Sequence, residues 1–140
     1  MKVTSVAWAI GIALFFSPAA ARAQYAFAGR LTTPTAGAQL TAGAQQPSVS
    51  PEGRYVAFVS SSSNMGAASN GSTNVYRYDL VTDTFELATQ ALGTGNSNAP
   101  SISLLGLAIA FPSESNDVGT GNASGFTDVF YSERGGAGVY

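Results

Sequence analysis

Residues 47–60 read PSVSPEGRYVAFVS, and residues 100–113 read PSISLLGLAIAFPS. At an offset of 53 residues the two stretches share proline, serine, glycine, alanine and phenylalanine at the same positions. A second pair, residues 71–76 (GSTNVY) and residues 125–130 (GFTDVF), aligns at an offset of 54 residues. Two matches in the same order indicate a tandem duplication of one supersecondary unit, and this unit decides the fold.

Short strands are the local signal within each unit. Residues 55–60 are mostly apolar on both sides of the alternation, which is typical of a strand in a sheet that is covered on both faces. Residues 74–79 and 84–89 alternate more openly, which predicts half-exposed strands. No segment after residue 23 shows sustained helical periodicity. The predicted strands are 46–49, 54–60, 74–79, 84–89, 99–102, 107–113, 127–132 and a clipped one near 138–140.

Turn residues separate these strands. Residues 50–53 (SPEG) suit a type I turn, because proline presets the first central φ and glycine takes the last place. Residues 80–83 form a short hairpin connection. A four-stranded antiparallel meander of this length is the unit of a β-propeller. We therefore expect an all-β chain with two such blades, at 44–95 and at 96–140, after an N-terminal segment or linker at 24–43.

The first unit resembles the TolB-type β-propeller repeat. That repeat usually runs Pro-Ser-x-Ser-Pro-Asp-Gly, then Ala-Phe-x-Ser, and after a loop Asp-Val/Ile-Tyr/Phe. Residues 47–60 and 74–79 match it, with Glu52 and Asn74 in place of the usual aspartates. The second unit diverges, because residues 104–107 (LLGL) replace the Pro-Asp-Gly-Arg turn, although residues 128–130 (DVF) fit. The resemblance implies propeller blades in a mostly exported family whose propellers dock proteins or other ligands.

The number of units sets this chain apart from a closed propeller. Propellers typically close with four to eight blades, whereas this sequence holds about two, the second of them clipped. Three interpretations stay open: a truncated reading frame, an open sandwich of two sheets, and an oligomer that completes the ring through its open sheet edges. Because the sequence stops where a fourth strand of the second blade would begin, we expect an incomplete propeller that is truncated.

The first 23 residues have the order of a secretory signal. Lys2 supplies the positive charge, residues 6–16 form an apolar run, and Ala21 and Ala23 make an A-x-A cleavage site before Gln24. The run of about 11 residues is well short of the roughly 20 that a membrane-spanning helix needs. We predict cleavage before Gln24, a periplasmic or secreted product, and no transmembrane anchor after cleavage.

The composition excludes several chemistries. The chain has no cysteine and no histidine, which removes disulfides, thiolate nucleophiles and imidazole acid–base catalysis. A charged fraction of 10% and a formal charge of −2 give no basic surface for nucleic acid. We expect a non-enzymatic binding or scaffold protein for a protein or glycan partner. The alternative is an accessory propeller of a hydrolase whose catalytic domain is encoded elsewhere.

One loop carries a candidate metal site. Asp117, Asn122 and Asp128 place oxygen ligands in and beside a glycine-rich loop, a pattern that can bind calcium weakly. An ordinary polar loop is the favoured alternative, because the corresponding loop of the first unit, residues 63–74, has no carboxylate. Apart from this weak calcium hypothesis, no cofactor is expected.

Overall fold

The computed structural model describes residues 29–32, 39–65, 71–89, 94–115 and 126–135. Within these ranges the chain forms strands and one short 3₁₀ turn at Leu104–Gly106. The strands are β1 (Ala44–Val49), β2 (Tyr55–Ser60), β3 (Asn74–Asp79), β4 (Thr84–Leu87), β5 (Ser101–Ile102), β6 (Ala108–Ser113) and β7 (Asp128–Glu133). The predicted signal, its cleavage site at Ala21, Ala23 and Gln24, and the predicted strand near 138–140 lie outside the described residues.

The strands form two antiparallel sheets. Sheet A has the order β1-β2-β3-β4, and sheet B has the order β5-β6-β7. The predicted all-β class with antiparallel sheets is therefore confirmed, and each sheet is a meander in which neighbours in sequence pair. Among the described residues, no helix is both long and apolar enough to cross a membrane.

Strand β1 begins earlier than predicted, at Ala44, and contains an irregularity. Its register against β2 shifts between Gln45 and Ser48. Gln46 adopts a φ of 52° there, and Pro47, which follows it, has no N–H to donate to a ladder. A bulge at the sheet edge accommodates such a residue, so the strand continues on both sides of the proline.

The two units repeat the same hydrogen bonds around their first turn. The Gly53 amide donates to the Ser50 carbonyl oxygen at 2.8 Å, and the Gly106 amide donates to the Ser103 carbonyl oxygen at 3.1 Å. The hydroxyl oxygen of each serine accepts a hydrogen bond from the backbone amide two residues beyond the glycine. In the first unit the Tyr55 amide donates to Ser50 Oγ at 3.0 Å. Its counterpart at residue 108 donates to Ser103 Oγ at 2.8 Å. Residues 103–106 (SLLG) thus form the same hydrogen bonds as residues 50–53 (SPEG), although Leu105 has a φ of 61° and its counterpart Glu52 has no positive φ.

Sheets A and B pack face to face, and a core fills the space between them. That core contains Tyr55, Ala57, Val59, Val75, Ala88, Ile102, Ile109, Phe111 and Phe130. The other face of sheet A carries a second cluster, formed by Phe58, Met65, Tyr76 and Tyr78 with partly buried Leu31, Leu40, Phe85 and Leu87. Strand β3 is consequently buried at every position, which corrects the prediction of a half-exposed strand at 74–79.

Candidate functional site

The turn at residues 104–107, which we call the leucine turn, exposes apolar side chains. Leu104, Leu105 and Leu107 are 58%, 52% and 53% exposed. In the first unit the same positions hold proline, glutamate and arginine. Isolated exposed leucines are ordinary, whereas three on one turn form a group of the kind that marks interaction sites.

The leucine turn is held in place by side chains of sheet A. The Leu105 amide donates to Glu52 Oε2 at 3.0 Å, and Arg77 Nη1 donates to the Gly106 carbonyl oxygen at 2.8 Å. Leu105 has a φ of 61°, in the left-handed region where a leucine is strained by about 1–2 kcal/mol. Such strain persists only where surrounding contacts impose it, and it gathers at functional sites.

The hydrogen bonds to Glu52 are strong enough to shift its ionisation. Partial desolvation works to raise the pKa of Glu52, but hydrogen bonds from the Leu105 amide, from its own amide and from Ser50 outweigh that effect and lower the pKa. Ser50 Oγ donates to Glu52 Oε1 at 2.9 Å. Glu52 therefore acts as a charged acceptor that orients the leucine turn at neutral pH.

Two further exposed apolar residues lie at the same end of the molecule. Leu80 and Val81 occupy the turn between β3 and β4, which in a meander lies at the same end as the turn between β1 and β2. The Leu80 amide donates to the Arg54 carbonyl oxygen at 3.0 Å, which ties this turn to the first one. We call Leu80, Val81 and the three leucines of the leucine turn the apolar rim.

Ion pairs join residues that lie next to the turns of the apolar rim, and we call Arg54, Asp79, Arg77, Glu86 and Arg134, together with Tyr55, the charged seam. Arg54 donates to Asp79 with two bonds, Nε to Oδ1 at 2.9 Å and Nη2 to Oδ2 at 2.7 Å. These bonds hold the pKa of Asp79 well below its usual range, against a smaller opposing effect of desolvation. Arg77 pairs with Glu86, and Arg134 Nη2 approaches Glu86 Oε1 at 3.5 Å.

Aromatic contact completes this seam. The guanidinium carbons of Arg54 and Arg77 each lie 4.9 Å from the ring centroid of Tyr55. A cation at this distance from a ring face is attracted by the ring quadrupole. The seam is thus a charged and aromatic support for the turns that carry the apolar rim.

The described part of the structure does not bring the predicted calcium ligands together. Asp117 and Asn122 lie outside them, and Asp128 begins β7 with an exposed side chain. Among the described residues, no group of three acidic, histidine or cysteine side chains is placed to hold a metal ion. Calcium binding at Asp117, Asn122 and Asp128 stays a prediction.

An open cleft of about 320 Å³ lies beside the N-terminal segment. It is bordered by Arg30, Thr32, Gln39, Leu40, Thr41, Ala42, Gly43 and Ala44. Among these lining residues Arg30 is the one ionisable side chain, so the described wall of the cleft offers no acid–base pair for general catalysis. The cleft is a weaker candidate than the apolar rim.

In the sequence alone, the LLGL segment is a divergence of the repeat and does not stand out as a binding surface. The signal that identifies it is the loss of every polar residue from a turn, since turns at a surface are normally polar. The exposure of the leucines depends on how sheet B packs against Glu52 and Tyr55. A local sequence pattern does not predict this packing.

No family model matches this chain, and no curated protein matches it. Among solved structures the chain is similar to TolB from Acinetobacter baumannii, with 22% sequence identity and a TM-score of 0.46. The aligned region covers 71% of this chain and 20% of the TolB chain. The chain therefore spans about a fifth of the length of that structure.

Proposed function

We propose that this chain is an exported, non-enzymatic binding protein, that its two sheets are successive β-propeller-type blades, and that the apolar rim binds a protein partner. The observation that carries the proposal is the leucine turn, on which three apolar side chains are more than half exposed. The blade assignment is supported by the meander order of both sheets and by the hydrogen bonds that the first turn of each unit has in common.

Folding gains nothing from leucines that stay in water, so their exposure calls for another reason. Fully burying a leucine side chain is worth about 1.5–3 kcal/mol. Because Leu104, Leu105 and Leu107 are 58%, 52% and 53% exposed, a partner that covers the leucine turn would gain about half of that free energy per side chain on binding. Because Glu52 and Arg77 already hold the turn, little conformational freedom is lost when the partner arrives.

The chemistry of the rim favours a protein over a glycan. A glycan presents hydroxyl groups, which need polar partners when water is removed from them. The side chains of Leu104, Leu105 and Leu107 offer no donor or acceptor. An apolar segment of a protein matches them better, and the charged seam at Arg54 and Asp79 would lie at its polar margin.

Export is supported by the order of charge, apolar run and A-x-A site in residues 1–23. The test is fractionation of expressing cells followed by mass spectrometry of the recovered chain. We expect the chain outside the cytoplasm, beginning at Gln24. Recovery of a cytoplasmic chain that still begins at Met1 would reject this part of the proposal.

Binding is tested by photo-crosslinking in cells of the source organism, with a photoreactive amino acid at position 105. We expect one defined protein adduct. Its yield should fall at least tenfold when Leu107→Asp is introduced. Its yield should not change with the control Val129→Asp, which alters an exposed apolar residue on β7. If the adduct contains a hydrolase, the accessory-propeller alternative is supported. Absence of an adduct, or an adduct that ignores Leu107→Asp, contradicts binding by the rim.

A further inference from the structure

Three exposed carboxylates border the apolar rim. Glu52 lies on the turn between β1 and β2, Asp83 lies on the turn between β3 and β4, and Glu133 ends β7. Within the described ranges, the salt bridges leave all three without an arginine partner. The exposed leucines are therefore flanked by negative charge that no ion pair neutralises.

Hydrogen bonds and strand register place two of these carboxylates next to the leucine turn. Glu52 Oε2 accepts the Leu105 amide at 3.0 Å. Glu133 pairs across the strands with Ala108, the residue that follows the leucine turn. The amide of the residue after Glu133 donates to the Leu107 carbonyl oxygen at 2.8 Å. One carboxylate thus lies on either side of the leucine turn along the chain that supports it.

Asp83 has the corresponding place on the other turn of the apolar rim. It closes the turn that carries Leu80 and Val81, and its amide donates to the Asp79 carbonyl oxygen at 2.9 Å. Its carboxylate accepts a hydrogen bond from the Tyr78 hydroxyl. A neutral donor of this kind orients a carboxylate without cancelling its charge. Both turns of the rim therefore hold a fixed acidic group beside their apolar side chains.

The arginines at this end of the molecule are already engaged. Arg54 gives two bonds to Asp79, and Arg77, which is 4% exposed, pairs with Glu86. Arg134 is 48% exposed and shares Glu86 with Arg77. The charged seam holds three guanidinium groups and two carboxylates. With the three carboxylates that border the rim, this end carries an excess of two negative charges.

We propose that the protein segment bound by the apolar rim carries lysine or arginine beside its apolar side chains. This inference rests on the proposed function, in which the rim binds a protein, and it adds the charge of the partner. Complementary charges on two surfaces steer their encounter, and like charges exclude wrong partners. An apolar segment flanked by acidic residues is repelled by Glu52, Asp83 and Glu133, so it binds less well even though it matches the leucines.

Apolar and charged residues of this surface act on different steps of binding. Contacts of Leu104, Leu105 and Leu107 form only in the complex, so they slow its dissociation. The carboxylates at the margin act at a distance, so they mainly raise the rate of association. Salt screens the interaction between exposed charges, whereas it leaves the burial of leucine side chains in place. Rates measured at several salt concentrations therefore separate the two contributions.

Three short synthetic peptides of equal length and equal leucine content test the proposal. Their remaining positions are all lysine, all glutamate or all glutamine, and stopped-flow fluorescence measures their association with the purified chain. We expect the lysine peptide to associate about tenfold faster than the glutamate peptide at low salt, with the glutamine peptide between them. The ratio should approach one as salt rises from about 0.02 to about 0.5 M. Equal association rates for the lysine and glutamate peptides at low salt would overturn the proposal.

Glu133→Gln and Glu114→Gln make the same chemical change at opposite ends of sheet B. Glu114 is exposed and follows the last residue of β6, whereas the leucine turn precedes the first residue of that strand. Glu133→Gln should slow association of the lysine peptide about twofold or more at low salt, and Glu133→Lys should slow it further. Glu114→Gln should leave the rate unchanged. An equal effect of Glu133→Gln and Glu114→Gln would mean that the net charge of the chain attracts the peptide, and the proposal would be wrong.

Leu107→Asn separates this proposal from binding by the apolar rim itself. The substitution removes an apolar contact without adding a charge, so dissociation of the lysine peptide should become about tenfold faster while its association changes little. If the peptides respond to Leu107→Asn but the lysine peptide has no advantage, the rim binds protein and the basic partner is wrong. If the lysine peptide has an advantage that ignores Leu107→Asn, it binds elsewhere, and both the proposed function and this inference are contradicted.

Discussion

Arg77 on β3 donates from Nη1 to the carbonyl oxygen of Gly106 at 2.8 Å, which joins the middle of sheet A to the leucine turn of sheet B. The arginine side chain is 4% exposed and also pairs with Glu86 on β4. A buried charge is costly unless it is both paired and hydrogen-bonded, and Arg77 meets both conditions. One guanidinium therefore links two strands of sheet A to the turn that carries the proposed binding surface.

Arg77→Met should weaken both the fold and the turn. The substitution leaves the Gly106 carbonyl oxygen without its side-chain donor, which costs about 1–3 kcal/mol of unfolding free energy. Urea unfolding measures this loss, and hydrogen exchange of the Leu105 amide should become faster. Arg54→Met, which removes a more exposed guanidinium, should leave exchange at Leu105 much less affected. Equal exchange rates in the two variants would contradict the link.

Gly106→Ala and Gly53→Ala form a matched pair at equivalent turn positions. Both glycines have positive φ, 62° and 78°, so alanine costs about 1 kcal/mol of unfolding free energy at either one. A Cβ at Gly106 would in addition lie 2.6 Å from the Tyr55 ring, whereas a Cβ at Gly53 meets nothing within 4 Å. We expect Gly106→Ala to be the more destabilising by about 1–3 kcal/mol, the usual cost of overpacking.

Thermal or urea unfolding compares these glycine variants directly. Tyr55→Leu in the Gly106→Ala background should recover part of the extra loss, because it removes the ring that the new methyl group meets. If Gly106→Ala and Gly53→Ala lower the free energy of unfolding by the same amount, the proposed steric contact between residue 106 and the Tyr55 ring is contradicted.

The strands could be predicted from sequence because their signals are local. Residues 55–60 are apolar on both sides of the alternation, and the structure buries every position of β2. The hairpin at residues 80–83 sets the register of β3 and β4, which places Arg77 opposite Glu86. The position of the turn and the two-residue period of the strands are enough to place Arg77 opposite Glu86. This ion pair can therefore be predicted from the sequence once the hairpin register is known.

The candidate surfaces could not be predicted in the same way, because they depend on which sheet lies against which. Residues 107–113 are apolar on both sides of the strand, yet the structure buries Phe111 and leaves Ala110 exposed. The difference arises because sheet A covers only one face of sheet B. Likewise, the first-unit strand at residues 74–79 shows an open alternation, but segments remote in sequence cover its second face.

Acid should weaken the chain partly through Asp79. The hydrogen bonds from Arg54 hold the pKa of Asp79 well below its usual value of about 3.9. A carboxyl whose pKa is lower in the folded chain contributes stability that is complete above the unfolded value and is lost as pH falls toward the folded value. We expect Asp79→Asn to be less stable than the unaltered chain at pH 7, and the difference in unfolding free energy to shrink as pH falls below about 4.

Urea unfolding at several pH values measures that difference. Arg54→Gln removes the largest cause of the shift, so it should flatten the same part of the acid profile while keeping the carboxyl group. A difference between Asp79→Asn and the unaltered chain that stays constant down to the lowest pH would contradict the assignment.

Alkali should weaken the chain through Tyr78, in the opposite sense. A hydrogen bond from the Tyr78 hydroxyl to Asp83, with desolvation as the next cause, raises the pKa of Tyr78 to about 12. A phenol whose pKa is higher in the folded chain contributes stability that is complete below the unfolded value of about 10 and is lost as pH rises toward the folded value. Tyr78→Phe should therefore be less stable than the unaltered chain at pH 8, with the difference closing as pH rises beyond about 10. Subtracting the ultraviolet titration of Tyr78→Phe from that of the unaltered chain isolates the ionisation of this phenol. Asp83→Asn should lower the pKa of Tyr78. Ionisation of Tyr78 near pH 10 in both the unaltered chain and Asp83→Asn would contradict the hydrogen bond as the cause.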